Sequence, residues 1–272
     1  MNTTTRPNFV SRIWNSIPLM VRAIIVGSIV SGLGVGIWGA FFNGLKSPWA
    51  ILPTAACLWI YLKFFSGKPN FRATRLTPAI WRKGFLLAAL FVVIVQSSFV
   101  VTYRLIEFPA AQFTADYKIV DTFPVWQAWL ILITGSIVAG ICEELGFRGY
   151  MQTPMEKKYG PVIAILVTSL IFTATHLSHT WAHPILPHIF FASVLLGLIA
   201  WRTNSLLPGI IGHSILDIFD YSIWWTDLTG GFTRRPIAVT GIDAHFIFFA
   251  LLLAAALAAF FKTLRIIPPL RA

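Results

Sequence analysis

The sequence is poor in charged residues. Only 11% of its 272 residues are Asp, Glu, Lys or Arg, whereas 57% are hydrophobic. Soluble domains carry roughly 25% charged residues, so this composition excludes an ordinary soluble protein of one or two domains. No polar stretch is long enough to form a separate soluble domain. We therefore expect a single integral membrane domain over residues 1–272.

Cysteine and acidic residues are scarce as well. Cys57 and Cys142 are the two cysteines, and their spacing argues against a disulfide or zinc–thiolate framework. Ten acidic residues stand against 21 basic ones, which gives a formal net charge of +11. We expect no nucleic-acid partner, because the sequence has no base-stacking or phosphate-binding motif. The cytoplasmic loops of a membrane protein collect Lys and Arg, and this is a simpler explanation of the charge.

What the sequence has in abundance is long apolar segments, each close to the ~20 residues that cross a bilayer core. Their approximate limits are 20–42, 49–65, 84–103, 124–145, 161–180, 185–202, 205–225 and 244–263. The first is too long for the apolar core of a cleaved signal peptide, which has roughly 7–15 residues. We predict an all-α, polytopic membrane helix bundle with about eight transmembrane helices.

The basic residues orient this bundle. If the N-terminus is inside, sixteen Lys and Arg fall on the inner side and five on the outer side. Such an asymmetry predicts that both termini are cytoplasmic. The loops are compact, with the longest over residues 66–83, and this favours the inner (plasma) membrane of a bacterium.

Ionisable residues inside a membrane are costly and are therefore functional candidates. The first cluster is Glu143, Glu144 and Arg148 in "GICEELGFRGY". Residues four apart on a helix are neighbours, so Glu144 and Arg148 can form a pair. An interfacial salt bridge would explain that pair equally well. It does not explain Glu143, which points about 100° away from Glu144 around the helix axis and needs another partner.

Two further clusters follow. "FTATHLSH" contains His176, and "GHSILD" contains His213 and Asp217, which are four apart and share one helical face. A hydrogen bond that only supports helix packing remains an equal alternative for His213 and Asp217. For a lone histidine near the end of a span, a structural role is the commoner one.

Other histidines follow His176. One helical face could carry His176, His179 and His183, because they are three and four residues apart. Such a face could bind zinc, since His is a common zinc ligand. Pro184 and Pro187 argue against a continuous helix in this stretch. We therefore interpret the remaining histidines as loop residues; they are His179, His183 and His188.

Chain length predicts that Glu143 and His176 meet. Gly160-Pro161 marks a turn, with Glu143 seventeen residues before Gly160 and His176 sixteen after it. In an antiparallel helical hairpin both would lie roughly 25 Å from the turn, at 1.5 Å per residue. A carboxylate beside an imidazole suits hydrolysis, with Glu143 as the base that takes a proton from water. His213 and Asp217 would then stabilise the developing oxyanion.

Three motifs carry a family resemblance. "EELGFR" fits E-E-x-x-x-R, "FTATH" fits F-x-x-x-H, and "HSILD" fits H-x-x-x-(N/D). In this order they resemble the CPBP family of intramembrane proteases, which includes the Ras-converting CAAX prenyl endopeptidase and bacterial immunity homologues. The resemblance covers roughly residues 120–225, which we take as the protease core of the domain.

The resemblance implies roles for six residues. Glu143 and His176 would activate water, His213 and Asp217 would serve the oxyanion, and Glu144 and Arg148 would support them. Eukaryotic members often have Asn in place of Asp217, which makes a direct oxyanion role for this residue less secure. We expect no required cofactor. Zinc is the alternative, and its ligands would be Glu143, His176 and His213.

The resemblance also implies a peptide or protein substrate, with or without a lipid modification, at the lipid bilayer. The sequence has no H-E-x-x-H, no G-x-S-G and no G-x-G-D, which disfavours the other intramembrane protease types. Two alternatives to an enzyme remain. One is a non-catalytic immunity or scaffold protein of the same fold, and the other is a transporter.

Overall fold

The structure is a computed structural model that describes residues 9–45, 48–65, 78, 80–110, 123–226, 228 and 232–267. Its α-helices are α1 (Phe9–Ser16), α2 (Leu19–Leu45), α3 (Ile51–Phe65), α4 (Trp81–Leu105), α5 (Val125–Glu143), α6 (Thr153–Tyr159), α7 (Pro161–Thr175), α8 (Leu186–Thr203), α9 (Leu207–Asp220), α10 (Ile237–Thr240) and α11 (Ala244–Ile266). The prediction of an all-α, polytopic helical bundle is confirmed. The predicted loop over 66–83 lies mostly outside the described residues.

All eight apolar segments contain a helix. Within the described residues, five helical stretches are long and apolar enough to cross a membrane; they are Leu19–Ala40, Trp81–Leu105, Val125–Tyr159, Ala182–Thr203 and Ala244–Ile266. Helices α3 and α7 are apolar but shorter, with fifteen residues each. Helix α9 continues as a π-helix over Tyr221–Trp225 and covers the seventh segment. The chain is an integral membrane protein.

One helical stretch runs through the site. It begins at Val125 and ends at Tyr159, so the helix continues past residue 145, as the hairpin prediction required. Its middle part, Glu144–Gln152, is a π-helix, a rare form that often occurs at functional sites. Gly160 ends the stretch with a positive φ of 82°. Pro161 then begins α7, because proline suits the first turn of a helix.

Helix α2 crosses the π-helix at very short range. A Cβ atom on Gly27 would lie 2.8 Å from the carbonyl oxygen of Gly146. Only glycine allows two backbones to approach this closely. On the other side of the bundle, α4 packs against α8, α9 and α11 through a core of buried apolar side chains that includes Leu87, Phe91 and Phe260. Helix α2 thus packs against the stretch that carries Glu143, and α4 packs against α9, which carries His213.

The histidine-rich stretch differs in part from the prediction. Helix α7 ends at Thr175 rather than at 180, and His176 caps it. His179 has an extended backbone, so the three-histidine helical face does not form. His188 lies in the first turn of α8, and its interpretation as a loop residue was wrong. Pro187 breaks a helix interior but suits a helix start, which explains the error.

A buried arginine joins the end of α4 to the start of α11. The Arg104 Nη2 atom donates to Asp243 Oδ2 at 2.8 Å and to Thr240 Oγ1 at 2.9 Å. Its Nη1 lies 3.2 Å from His245 Nδ1. Asp243 also caps α11 by accepting from the backbone N–H of Phe246. Hydrogen bonding to Arg104 lowers the pKa of Asp243 to about 2.

Candidate active site

Glu144 connects the π-helix to α9. Its side chain is fully buried, and its Oε1 lies 3.0 Å from Arg148 Nη1. The same oxygen lies 3.1 Å from His213 Nδ1. Because a carboxylate accepts, the hydrogen on His213 Nδ1 points to Glu144. The other ring nitrogen, Nε2, is thereby turned away from Glu144. The predicted i, i+4 pair of Glu144 and Arg148 is present.

Arg148 is held from three directions. Besides Glu144, its Nη2 donates to Ser193 Oγ at 2.8 Å and to the Ser193 carbonyl at 3.2 Å. The guanidinium also lies 4.8 Å from the centre of the Phe172 ring, as a cation–π contact. These contacts offset part of the cost of burying the charge. Arg148 therefore fixes Glu144, and through it His213, without facing the cavity itself.

Glu143 and Asp217 flank the outward side of His213. The His213 Nε2 atom lies 3.7 Å from Glu143 Oε2 and 3.7 Å from Asp217 Oδ1. These separations are longer than direct hydrogen bonds, and an oxygen atom of water or substrate could bridge them. The Glu143 and Asp217 side chains are 18% and 15% exposed, whereas Glu144 is 0% exposed. Glu143 is thus accessible and Glu144 is not.

His176 reaches the same place from the end of α7. Its Nδ1 lies 2.9 Å from the carbonyl oxygen of Phe172, which can only accept, so Nδ1 carries the hydrogen. The Phe172 ring lies against His176 and His213 at centroid distances of 4.9 and 6.0 Å. Phe172 therefore packs against both histidines. This gives the first residue of the F-x-x-x-H motif a physical role.

A cavity of about 310 Å³ joins these groups. Its ionisable lining residues are Glu143, His176, His179, His213 and Asp217. Its apolar wall, from α2 and α5, includes Val35, Trp38, Ile131 and Leu132. The structure thus brings four of the six predicted site residues to one cavity. The other two, Glu144 and Arg148, lie behind its wall.

Sequence reasoning missed several polar residues beside the site. Asp220 is buried, and it lines a second, smaller cavity together with His213 and Asp217. It accepts a hydrogen bond from Gln96 Nε2 at 2.5 Å, and Gln96 Oε1 accepts from Trp224 Nε1 at 2.9 Å. Asp220 follows Asp217 by three residues on one helix, a spacing that could have identified it. Ser193 and Gln96 carry no such signal.

Glu143, His176 and His213 are the residues named for a zinc site. Across the described residues, no three His, Cys, Asp or Glu side chains form a group that could hold a metal ion. Glu143, His176 and His213 line one cavity without converging on one point. As arranged here, these three side chains do not fit a zinc site.

Comparison with known proteins bears on the same segment. Residues 124–219 match the family described as type II CAAX prenyl endopeptidase, Rce1-like, over about a third of the chain. The CAAX prenyl protease 2 of Caenorhabditis elegans is 29% identical over 120 residues. That match covers 36% of this chain and 45% of the relative. No solved structure matches the chain significantly. All six predicted site residues fall within the matched segment.

Proposed function

We propose that this protein is an endopeptidase of the CPBP family of intramembrane proteases, because residues 124–219 match the Rce1-like family model. It would hydrolyse a peptide bond of a peptide or protein substrate at the membrane. One observation carries the proposal. Glu143, His176, His213 and Asp217 come from three separate helical segments, and they line one cavity of an apolar bundle.

Glu143 is the proposed general base. Water held between Glu143 and His176 gives a proton to the Glu143 carboxylate, and the resulting hydroxide attacks the carbonyl carbon of the scissile bond. The partial exposure of Glu143 allows such a water to reach it. When the carbon–nitrogen bond of the tetrahedral intermediate breaks, Glu143 returns the proton to the leaving amine.

His213 is the proposed oxyanion donor. In its protonated form it donates Nδ1–H to Glu144 and Nε2–H to the oxygen that gains negative charge. Glu144 fixes the direction of that second donor, since it holds the opposite nitrogen at 3.1 Å. Asp217 orients His213 from 3.7 Å, or donates directly when it is protonated.

The test is cleavage of a fluorogenic C-terminal peptide library, in prenylated and unmodified forms, by the purified protein. We expect Glu143→Gln to lower the rate about 10²–10⁴-fold, the range for loss of a general base. Glu107→Gln is the matched control, because Glu107 is exposed and does not line the cavity. Comparison of the two peptide forms would also identify whether a lipid modification is required.

A chelator-treated sample completes the experiment. Cleavage that is lost in Glu143→Gln but survives chelation supports the metal-free mechanism. Loss on chelation that zinc restores would replace it with a metal site. If Glu143→Gln leaves the cellular phenotype unchanged, the alternative of a non-catalytic immunity or scaffold protein is the better one.

A further inference from the structure

Helix α1 has an apolar face that is exposed. None of its eight residues is buried. Phe9, Val10, Ile13 and Trp14 are 68%, 72%, 50% and 38% exposed, and their spacing places them on one side of the helix. The opposite side is polar and comprises Ser11, Arg12, Asn15 and Ser16. A short helix with one apolar and one polar face is typical of a boundary between apolar and aqueous surroundings.

The position of α1 is fixed relative to a membrane span. Pro18 separates the two helices, and α2 begins at Leu19, where the first candidate span also begins. The Arg22 Nη1 atom donates to Asn15 Oδ1 at 3.0 Å, which ties the polar side of α1 to the first turn of α2. Helix α1 is therefore held at the bilayer end of a membrane-crossing helix.

We propose that α1 is an interfacial helix, which lies on the bilayer with its apolar face inserted below the headgroups and Arg12 directed at anionic lipid. Helices of this composition bind in the interface plane, and basic residues add attraction to anionic headgroups. Tryptophan is enriched at this depth, and Trp14 lies on the inserted face. The proposal does not depend on the protease activity.

Spin labels on the two faces test the proposal. Ile13→Cys and Arg12→Cys would be labelled in a Cys57→Ser background, in which Cys142 is buried and the label does not reach it. The Cys57→Ser protein alone measures any residual labelling. The proteins would be reconstituted in vesicles of phosphatidylethanolamine with phosphatidylglycerol. Collision with oxygen reports the bilayer, and collision with a soluble nickel chelate reports water.

We expect the label at position 13 to collide mainly with oxygen and the label at position 12 mainly with nickel. Equal access of nickel to both positions would place α1 in water and overturn the proposal. A label at position 13 shielded from both reagents would also overturn it, because a protein partner would then cover the face.

The lipid charge is tested separately. With the label at position 13, Arg12→Gln should lower the oxygen-to-nickel ratio in phosphatidylglycerol vesicles and leave it unchanged in phosphatidylcholine vesicles. An equal effect in both lipids would remove the anionic headgroup from the proposal.

Discussion

At the scale of single residues, Glu144 serves two partners with one oxygen. It neutralises Arg148 at 3.0 Å and orients His213 at 3.1 Å, while being fully buried. In such surroundings a charge without its partner is costly, since little else can solvate it. Loss of the Glu144 charge would therefore affect the stability of the fold as well as the alignment of His213.

Glu144→Gln should lower the free energy of unfolding by about 3–5 kcal/mol, the cost of breaking a buried ion pair. Chemical unfolding in detergent, followed by circular dichroism, measures it. Glu107→Gln removes an exposed carboxylate and should change stability by less than about 0.5 kcal/mol. Equal stability of the two variants would mean that Arg148 does not need Glu144.

Residue spacing predicted part of this site. The Glu144–Arg148 pair and the shared face of His213 and Asp217 follow from i, i+4 spacing, and the structure has both. The contact of Glu144 with His213 joins residues 69 positions apart, and no local pattern encodes it. Ser193 was missed for another reason. An uncharged polar side chain within an apolar helix does not stand out in sequence.

At the scale of helices, the site depends on how closely α9 approaches the π-helix. A Cβ atom on Gly209 would lie 2.7 Å from Glu144 Oε2 and 3.4 Å from its Cδ. Both atoms belong to a side chain that Arg148 and His213 hold in place, so it cannot easily move aside. Glycine at 209 is therefore a condition for the contact between Glu144 and His213.

Gly209→Ala should destabilise the protein by about 1–3 kcal/mol through overpacking, and it should lower any peptidase activity by displacing α9. Gly36→Ala is the matched control, because a Cβ atom there meets nothing within 4 Å. Because Gly36 lies in the interior of α2, its replacement by alanine should raise the free energy of unfolding by roughly 0.5–1 kcal/mol. Thermal unfolding of both variants measures these changes. A Gly209→Ala variant as stable as wild type would contradict the close packing of α9 on Glu144.

Helix existence was predicted better than helix limits. Hydrophobic runs located all eight segments, because burial and lipid exposure both select apolar residues. Runs of this kind cannot mark where a helix changes form. Neither the π-helix at Glu144–Gln152 nor the end of α7 at Thr175 has such a hydrophobic signal. At the end of the π-helical stretch the Thr153 hydroxyl donates to the Arg148 carbonyl, five residues earlier, and the apolar run does not predict this contact.

At the scale of the whole molecule, Arg104 joins distant parts of the chain. It is buried in the last turn of α4 and binds Asp243, 139 residues later, at the start of α11. The carboxylate of Asp243 must be ionised for this ion pair. Because its pKa lies near 2 in the folded protein, against about 3.9 for a free Asp, the pair stabilises the fold above about pH 4.

This stabilisation should disappear as the pH falls from about 4 to about 2. We expect wild-type protein to have a higher Tm than Asp243→Asn at pH 5, with the difference vanishing near pH 2. Thermal unfolding of both proteins across this range is the measurement. The other acidic groups are the same in both proteins, so their titration cancels in the difference in Tm. Parallel curves would show that Asp243 does not titrate with folding.

Orientation in the membrane is also a property of the whole chain. The distribution of Lys and Arg predicts cytoplasmic termini, and this stays a prediction, as does the bacterial inner membrane. Arg104 is one of the five basic residues that this prediction places on the outer side, but it is buried in a helix and paired with Asp243, so it is not a free loop charge.

The π-helix makes the site depend on the number of residues as well as on their identity. A π-helix has more residues per turn than an α-helix, so the deletion of one residue between Arg148 and Gln152 would change the rotation of Glu143 about the helix axis relative to helix α6. Glu143 would then lose its alignment with helix α6 and the turn that leads to His176, although every site residue would still be present. Relatives with one residue fewer in this stretch would therefore keep the motifs and lose the geometry.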